Sequence, residues 1–317
     1  MNEEKKTLTN KNGLKLFIQD LIAGGFSGII AKTIVAPIER VKLLLQTQRS
    51  NTRIQSSTYY KNGLECFQDL YRKEGFLSLW RGNVANVLRY FPNQALNFAL
   101  KDKFRLWFGH VESDSKIKLI LGNFISGGAA GATSSFFIYP LDVSRTRMAT
   151  DILTKDGRQF SGVSDTIIQA YKEGGIQRVY RGFSVSIFGA VVFRALFLGG
   201  YDNLKYALDL EHSSRTTRYF AAQALTTIVG TLCYPIDTIK RRMMIQVNFS
   251  ESSSTNGNSW MNGRDCLKHI LKTEGWKGLF SGLSVNVVRG ISGALLLVFY
   301  DDVKKFLNQS SSSSLSS

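Results

Sequence analysis

Three short motifs recur in this sequence in the same order, at intervals of about one hundred residues, which limits the chain to a fold built from three copies of one unit. The first joins a proline to an acid and a base: Pro37-Ile38-Glu39-Arg40-Val41-Lys42, Pro140-Leu141-Asp142-Val143-Ser144-Arg145 and Pro235-Ile236-Asp237-Thr238-Ile239-Lys240. The second sets two glycines seven apart with an aromatic between them: Gly75, Trp80, Arg81 and Gly82; Gly175, Tyr180, Arg181 and Gly182; Gly275, Phe280, Ser281 and Gly282. The third is an acid three residues before a base: Asp102 and Arg105, Asp202 and Lys205, Asp301 and Lys304. The chain has only four prolines, and three of them occupy the first motif, so the register is not accidental.

Each unit reads as a long helix, a loop, a short helix and a second long helix. The first long helices are expected over Lys15–Gln48, Lys118–Ala149 and Thr216–Gln246, and the second over Val84–Phe108, Ser184–Leu208 and Ser284–Phe306. Short helices follow Gly63, Gly162 and Gly263. The units span 15–111, 118–210 and 216–308, between a flexible tail over 1–14 and a serine-rich, disordered tail over 309–317. Small residues recur four apart on the first helices (Gly24 and Gly28, Gly127 and Gly131, Ala222 and Thr226), a spacing that lets backbones approach closely in a membrane. A proline inside a helix removes a hydrogen bond, so Pro37, Pro140 and Pro235 predict three equivalent bends. The acid and base after each bend are three residues apart on nearly one face. Around a pseudo-threefold axis these charges form a ring, and the third motif forms another at the far helix ends. Two rings at opposite mouths of one pore are what alternating access requires.

The 317 residues carry 40 Lys and Arg against 24 Asp and Glu, a formal net charge of +16, which calls for an anionic partner. Mean hydropathy is −0.07, near that of soluble proteins. Helices that face lipid on one side and a wet cavity on the other dilute the apolar signal in this way. Arg194 and Arg289 each interrupt an apolar span, a costly placement that points to a water-filled cavity and a bound anion. That placement also argues against a basic soluble repeat protein that binds nucleic acid. Cys66, Cys233 and Cys266 lack metal-ligand spacing, and no metal site or catalytic triad can be assembled. Gly28-Ile29-Ile30-Ala31-Lys32-Thr33 superficially resembles the end of a phosphate-binding loop, but Ala31 stands where glycine is required. The first 13 residues have neither transit- nor signal-peptide character, so targeting is expected to be internal.

These motifs resemble those of the mitochondrial carrier family over nearly the whole chain, roughly residues 17 to 306. Three stretches look like its ADP/ATP carriers: Ala31 to Gln46; Arg89 to Phe98 followed by Lys101-Asp102-Lys103; and Lys240-Arg241-Arg242-Met243-Met244-Ile245, which stands where that subfamily has three arginines and three methionines. The resemblance implies an all-α membrane protein with six tilted transmembrane helices in three repeats and three short matrix helices. It implies a monomeric antiporter, not an enzyme, that exchanges ADP for ATP across the inner membrane of a mitochondrion or a related organelle. Cardiolipin is the only lipid implied, with Gly82, Gly182 and Gly282 at helix N-termini suited to its phosphates. A carrier of another nucleotide or anionic metabolite is the alternative.

Site residues follow from the same resemblance, position by position. Lys32, Arg89 and Arg289 match central phosphate contacts, Arg241 a further basic contact nearer the matrix, and Lys101 and Lys240 other basic positions tied to nucleotide binding. Asn97 is counted with them. Gly189, Ala190, Phe193 and Cys233 match the adenine pocket, where the usual residues are Gly, Ile, Tyr and Ser; Phe193 and Phe197 replace two of three stacked tyrosines and leave Tyr201. The matrix gate is expected to pair Glu39 with Arg145, Asp142 with Lys240 and Asp237 with Lys42. The cytoplasmic gate is expected to pair Arg105 with Asp202, Lys205 with Asp301 and Lys304 with Asp102.

Overall fold

The computed structural model describes residues 28–55, 59–108, 116–207, 209, 214–246, 262–290 and 292. The first unit contains α1 (28–47), α2 (Gly63–Glu74) and α3 (Asn83–Phe108). The second contains α4 (Lys116–Thr150), α5 (Val163–Val179) and α6 (Phe183–Ala207). The third contains α7 (Arg215–Leu232), α8 (Tyr234–Ile245), α9 (Gly263–Thr273), α10 (Trp276–Leu279) and α11 (283–290). Both tails, Gly24, and the expected starts and ends of the outermost helices lie outside the described residues.

The first short helix carries its own start signal. The Asn62 side chain accepts from the Glu65 amide at 2.8 Å, and the Glu65 carboxylate accepts from the Lys61 amide at 2.8 Å, a reciprocal cap on α2. Each short helix then buries one stripe four residues apart: Cys66 and Leu70, Thr166 and Ala170, Cys266 and Ile270. These stripes seat the short helices under the ends of α1, α4 and α8. Leu44, Leu45, Cys66, Leu70 and Val285 share one apolar cluster, and Ile239, Met243, Cys266 and Ile270 share another.

A threefold pattern of bonds closes this end of the molecule. Arg40 Nε donates to the Ala149 carbonyl at 3.2 Å, Arg147 Nε to Met244 at 3.0 Å, and Arg242 Nε to Gln46 at 3.1 Å. Each arginine also holds the acid at the end of its own short helix: Glu74 at 2.9 Å, Glu173 at 2.9 Å and Glu274 at 2.8 Å. Each thereby ties its unit to the next. In the first unit the arginine comes from Arg40, one turn earlier than Arg147 and Arg242 in their units, because the matching position is the fully buried Leu44. The second unit has Gly174 where the others have Glu74 and Glu274, and Glu173 supplies the carboxylate from one residue earlier. Gly82, Gly182 and Gly282 adopt φ of 84°, 83° and 79°. A Cβ there would lie 2.9 Å from the Arg145 carbonyl, 3.3 Å from that of Lys240 and 3.1 Å from that of Lys42. Both the backbone conformation and the close approach require glycine.

Three expectations need correction. The long helix over Thr216–Gln246 is two helices that meet at Cys233, with Pro235 in the first turn of α8, where its missing N–H costs nothing. In the other two units the matching prolines, Pro37 and Pro140, sit in the interiors of the continuous helices α1 and α4, as Pro92 does in α3. At two of the small residues a side chain, not a backbone, makes the close approach: the space at Gly28 is filled by the Tyr90 ring and that at Gly131 by the Arg194 guanidinium. Arg194 itself reaches across to α4, donating to the Gly127 carbonyl at 3.2 Å, so its cost is met by a backbone acceptor and not in the main cavity.

Candidate functional site: a basic central cavity

A cavity of about 540 Å³ opens above the closed end. Lys32 reaches it from α1, Arg89 from α3 and Arg289 from α11, so three helices each contribute a cation. Lys240 and Arg241 of α8 line it nearer the closed end, as do Glu39, Lys42, Asp142, Arg145 and Asp237. Gly189, Ala190 and Phe193 form its α6 wall, facing Cys233 at the break between α7 and α8. Above them Phe193, Phe197 and Tyr201 stack in sequence, with centroids 6.1 Å apart at both steps. Lys32 lies over the Tyr90 ring, 5.8 Å from its centroid. Asn97 stands apart from the cavity and donates to Asn93 at 3.1 Å.

The floor of the cavity is a network of ion pairs. Lys42 meets Asp237 at 3.0 Å, and Arg145 meets Glu39 in a close pair. Asp142 is shared. Lys240 stands 3.8 Å from it, while Arg89 makes the close contact. The resemblance pairs Asp142 with Lys240 and assigns Arg89 to substrate. The structure instead puts the longer, planar guanidinium on the carboxylate, where it makes a direct hydrogen bond. Arg289 behaves similarly, 3.8 Å from Glu39 and hydrogen-bonded to Asn286 at 3.3 Å. Arg241 donates to the Thr146 hydroxyl at 2.8 Å and lies 3.4 Å from Asp237.

The family comparison gives this geometry its setting. The family described as mitochondrial carrier protein matches three times, over residues 14–112, 118–210 and 211–311. The chain belongs to the mitochondrial carrier family. A Dictyostelium discoideum relative called mitochondrial substrate carrier family protein ancA is 46% identical over 94% of this chain and 96% of its own length. ADP/ATP translocase 3 of Bos taurus is 44% identical, over 92% of this chain and 98% of the relative. ADP/ATP translocase 4 of Mus musculus is 44% identical, over 97% and 96%.

The carrier therefore crosses the inner mitochondrial membrane with six tilted helices in three repeats. Among the described residues only Phe183–Lys205 is long and apolar enough to span a membrane by composition alone. The other spans carry the cavity's charges on one side and large apolar residues on the other. Ile30 and Ile34 of α1, Phe137 of α4, Phe188 of α6 and Ile228 of α7 are all more than half exposed, which gives the carrier its lipid-facing belt.

The run Lys240–Ile245 divides its work. Lys240 and Arg241 face the cavity, Arg242 joins Glu274 and Gln46, and Met243, Met244 and Ile245 are buried. Its methionines are core residues of the carrier. The side chains of Lys101, Asp102, Arg105 and Asp202, and all of Asp301 and Lys304, lie outside the described residues. So does the pairing assigned to Lys205. Beside the glycines of the second motif, Arg81 bonds Asp151 and the Phe160 carbonyl, and Arg181 bonds Gln246 at 2.9 Å. Both arginines are drawn into the seams between repeats.

Sequence reasoning missed two groups. One is the set of acids that hold the buried arginines: Glu74, Glu173 and Glu274. The acid directly before the first glycine of the second motif, in two repeats of three, was the available signal. The other is Gln46, whose side chain donates to Asp237 at 3.3 Å and to the Thr238 hydroxyl at 3.0 Å, bracing the Lys42–Asp237 pair.

Proposed function

We propose that this carrier exchanges ADP for ATP by alternating access of the basic cavity. The observation that carries the proposal is the convergence of Lys32, Arg89 and Arg289, from three helices, on one space beside an aromatic stack. Phosphates need several cations and adenine needs a flat apolar surface, and the cavity supplies both. Phe193 offers its ring face to the base, while Gly189 and Ala190 leave room beside it.

The geometry suggests how binding opens the floor. Arg89 neutralises Asp142 and Arg289 stands by Glu39. Phosphate oxygens that enter the cavity compete for both guanidiniums and accept bidentate hydrogen bonds from them. Asp142 and Glu39 then lose part of their compensation, and the matrix network weakens as the substrate is gripped. The differential contact of substrate with the two states is what shifts the equilibrium. Without substrate the arginines return to the carboxylates, so exchange is favoured over one-way transport. ATP carries one more negative charge than ADP, so each exchange moves charge, worth about 2.3 kcal/mol per 100 mV. The cavity lies within a single chain, consistent with a functional monomer. The helix N-termini that begin at Gly82, Gly182 and Gly282 suit the phosphates of cardiolipin.

A second substrate class is favoured by one observation. Phe193 and Cys233 stand where the ADP/ATP carriers usually have a tyrosine and a serine, and the loss of those two hydroxyls weakens selection among bases. Uptake of labelled ADP into ATP-loaded liposomes, with a panel of nucleotides and metabolite anions as competitors, separates the two. Adenine nucleotides are expected to compete best, and Arg89→Ala or Arg289→Ala to reduce uptake at least about tenfold, equivalent to about 1.4 kcal/mol. Better competition by a different anion overturns the adenine assignment.

A further inference from the structure

The latches at the matrix end are not built alike. Nine residues beyond the motif prolines stand Gln46, Ala149 and Met244. Gln46 braces Lys42–Asp237 directly. Ala149 holds the same position beside Glu39–Arg145 and has no amide to offer. A cavity of about 10 Å³ lies there, lined by Glu39, Arg145, Ala149, Arg81, Asn83 and Asn86 among others. Four side-chain atoms around it are buried without a protein partner: both amide atoms of Asn86, Oδ1 of Asn83 and Nε of Arg81. Asn86 is 1% exposed. Its counterparts four residues after the other motif glycines, Ser186 and Asn286, line the central cavity instead.

A cavity of about this size accommodates one water molecule, provided that two to four polar groups face it. Asn86 supplies a donor and an acceptor, Asn83 an acceptor and Arg81 a donor. We propose that one water is held in this cavity, hydrogen-bonded to Asn86 and linking it to the Glu39–Arg145 pair, so that Asn86 is a positioning residue of the matrix latch. The water replaces the glutamine amide that the first repeat provides at the Lys42–Asp237 latch. Hydration at this latch gives the Asn83 and Asn86 side chains a mobile partner, while Gln46 fixes the other. The cavity argument stands without the ADP/ATP assignment, and its test uses no nucleotide.

Asn86→Leu keeps the branching and heavy-atom count of the side chain and removes both polar atoms. If the water is present, the variant lowers the Tm of the purified full-length carrier by about 2–4 °C, and adding Ala149→Gln in the same chain restores most of the loss. If the amide is instead unpartnered in a dry hole, removing it leaves Tm unchanged or raises it, and the proposal fails. A fall that Ala149→Gln does not reverse also overturns it. Should Asn86→Leu not fold, a structure of the wild-type carrier that resolves ordered water decides the matter. A single peak between Asn86 and Glu39–Arg145 is expected, and a featureless cavity rules the proposal out.

Discussion

Arg147 shows how single residues hold the closed end of the cavity shut. Its guanidinium is buried, bonded to Met244 of the next repeat and to both oxygens of Glu173. Burial pushes the Glu173 carboxyl up, but Arg147 and Arg178 outweigh it and hold it below the usual carboxylate range. A lowered carboxylate stabilises the fold above its unfolded value, and the contribution is lost as pH falls through the folded value. Thermal unfolding of Glu173→Gln against wild type is therefore expected to show a deficit at neutral pH that shrinks as the solution is acidified. A deficit constant with pH would show that the charge is not what matters. Cys66 and Cys266 lie on the buried faces of the short helices α2 and α9, and burial pushes both thiols up to about 12. Thiolate is the reactive form, so both are expected to resist maleimide at neutral pH until the carrier unfolds, as mass spectrometry of labelled protein can read. The charged residues at the motif positions were legible in the sequence because they recur at fixed spacing. The partner of Arg89 was not: periodicity places a side chain on a face, and only the packed helices decide which carboxylate it meets.

At the level of elements, the short helices and the glycine turns position the long helices. The stripe Cys66–Leu70, repeated as Thr166–Ala170 and Cys266–Ile270, was partly visible as the run after each leading glycine. The break at Cys233 was hidden, because Pro235 is compatible both with a kinked helix and with the start of a new one. Tertiary contacts chose the second, which turns Cys233 onto the cavity. The small residues misled in another way. Spacing of four marks a groove, but it does not say whether backbone or side chain fills it, and here Tyr90 and Arg194 do. Gly182 and Gly127 make a sharp comparison. Gly182→Ala is expected to lower the Tm of the carrier, since φ is 83° and the Lys240 carbonyl lies 3.3 Å from the new Cβ. Gly127→Ala meets open space and is expected to leave Tm unchanged or raise it slightly. Equal losses in both variants would contradict the close packing of the second motif against the neighbouring repeat.

Across the whole molecule, three repeats place cations from three helices around one space and ion pairs beneath it. The fold was legible from the triplicated motifs alone, since no unit can bury its own inner face without the other two. The cationic character of the cavity was legible from the net charge and from Arg289 placed in an apolar span. The sharing of Asp142 between Arg89 and Lys240 was not, and it is what couples the cavity to its floor. Under the proposed exchange, this ion-pair network opens only while phosphates occupy Arg89 and Arg289. Liposomes loaded with labelled ATP test it most directly. ADP added outside is expected to release label mole for mole, with none released into nucleotide-free buffer. Steady release without external nucleotide, or none with it, would contradict the account.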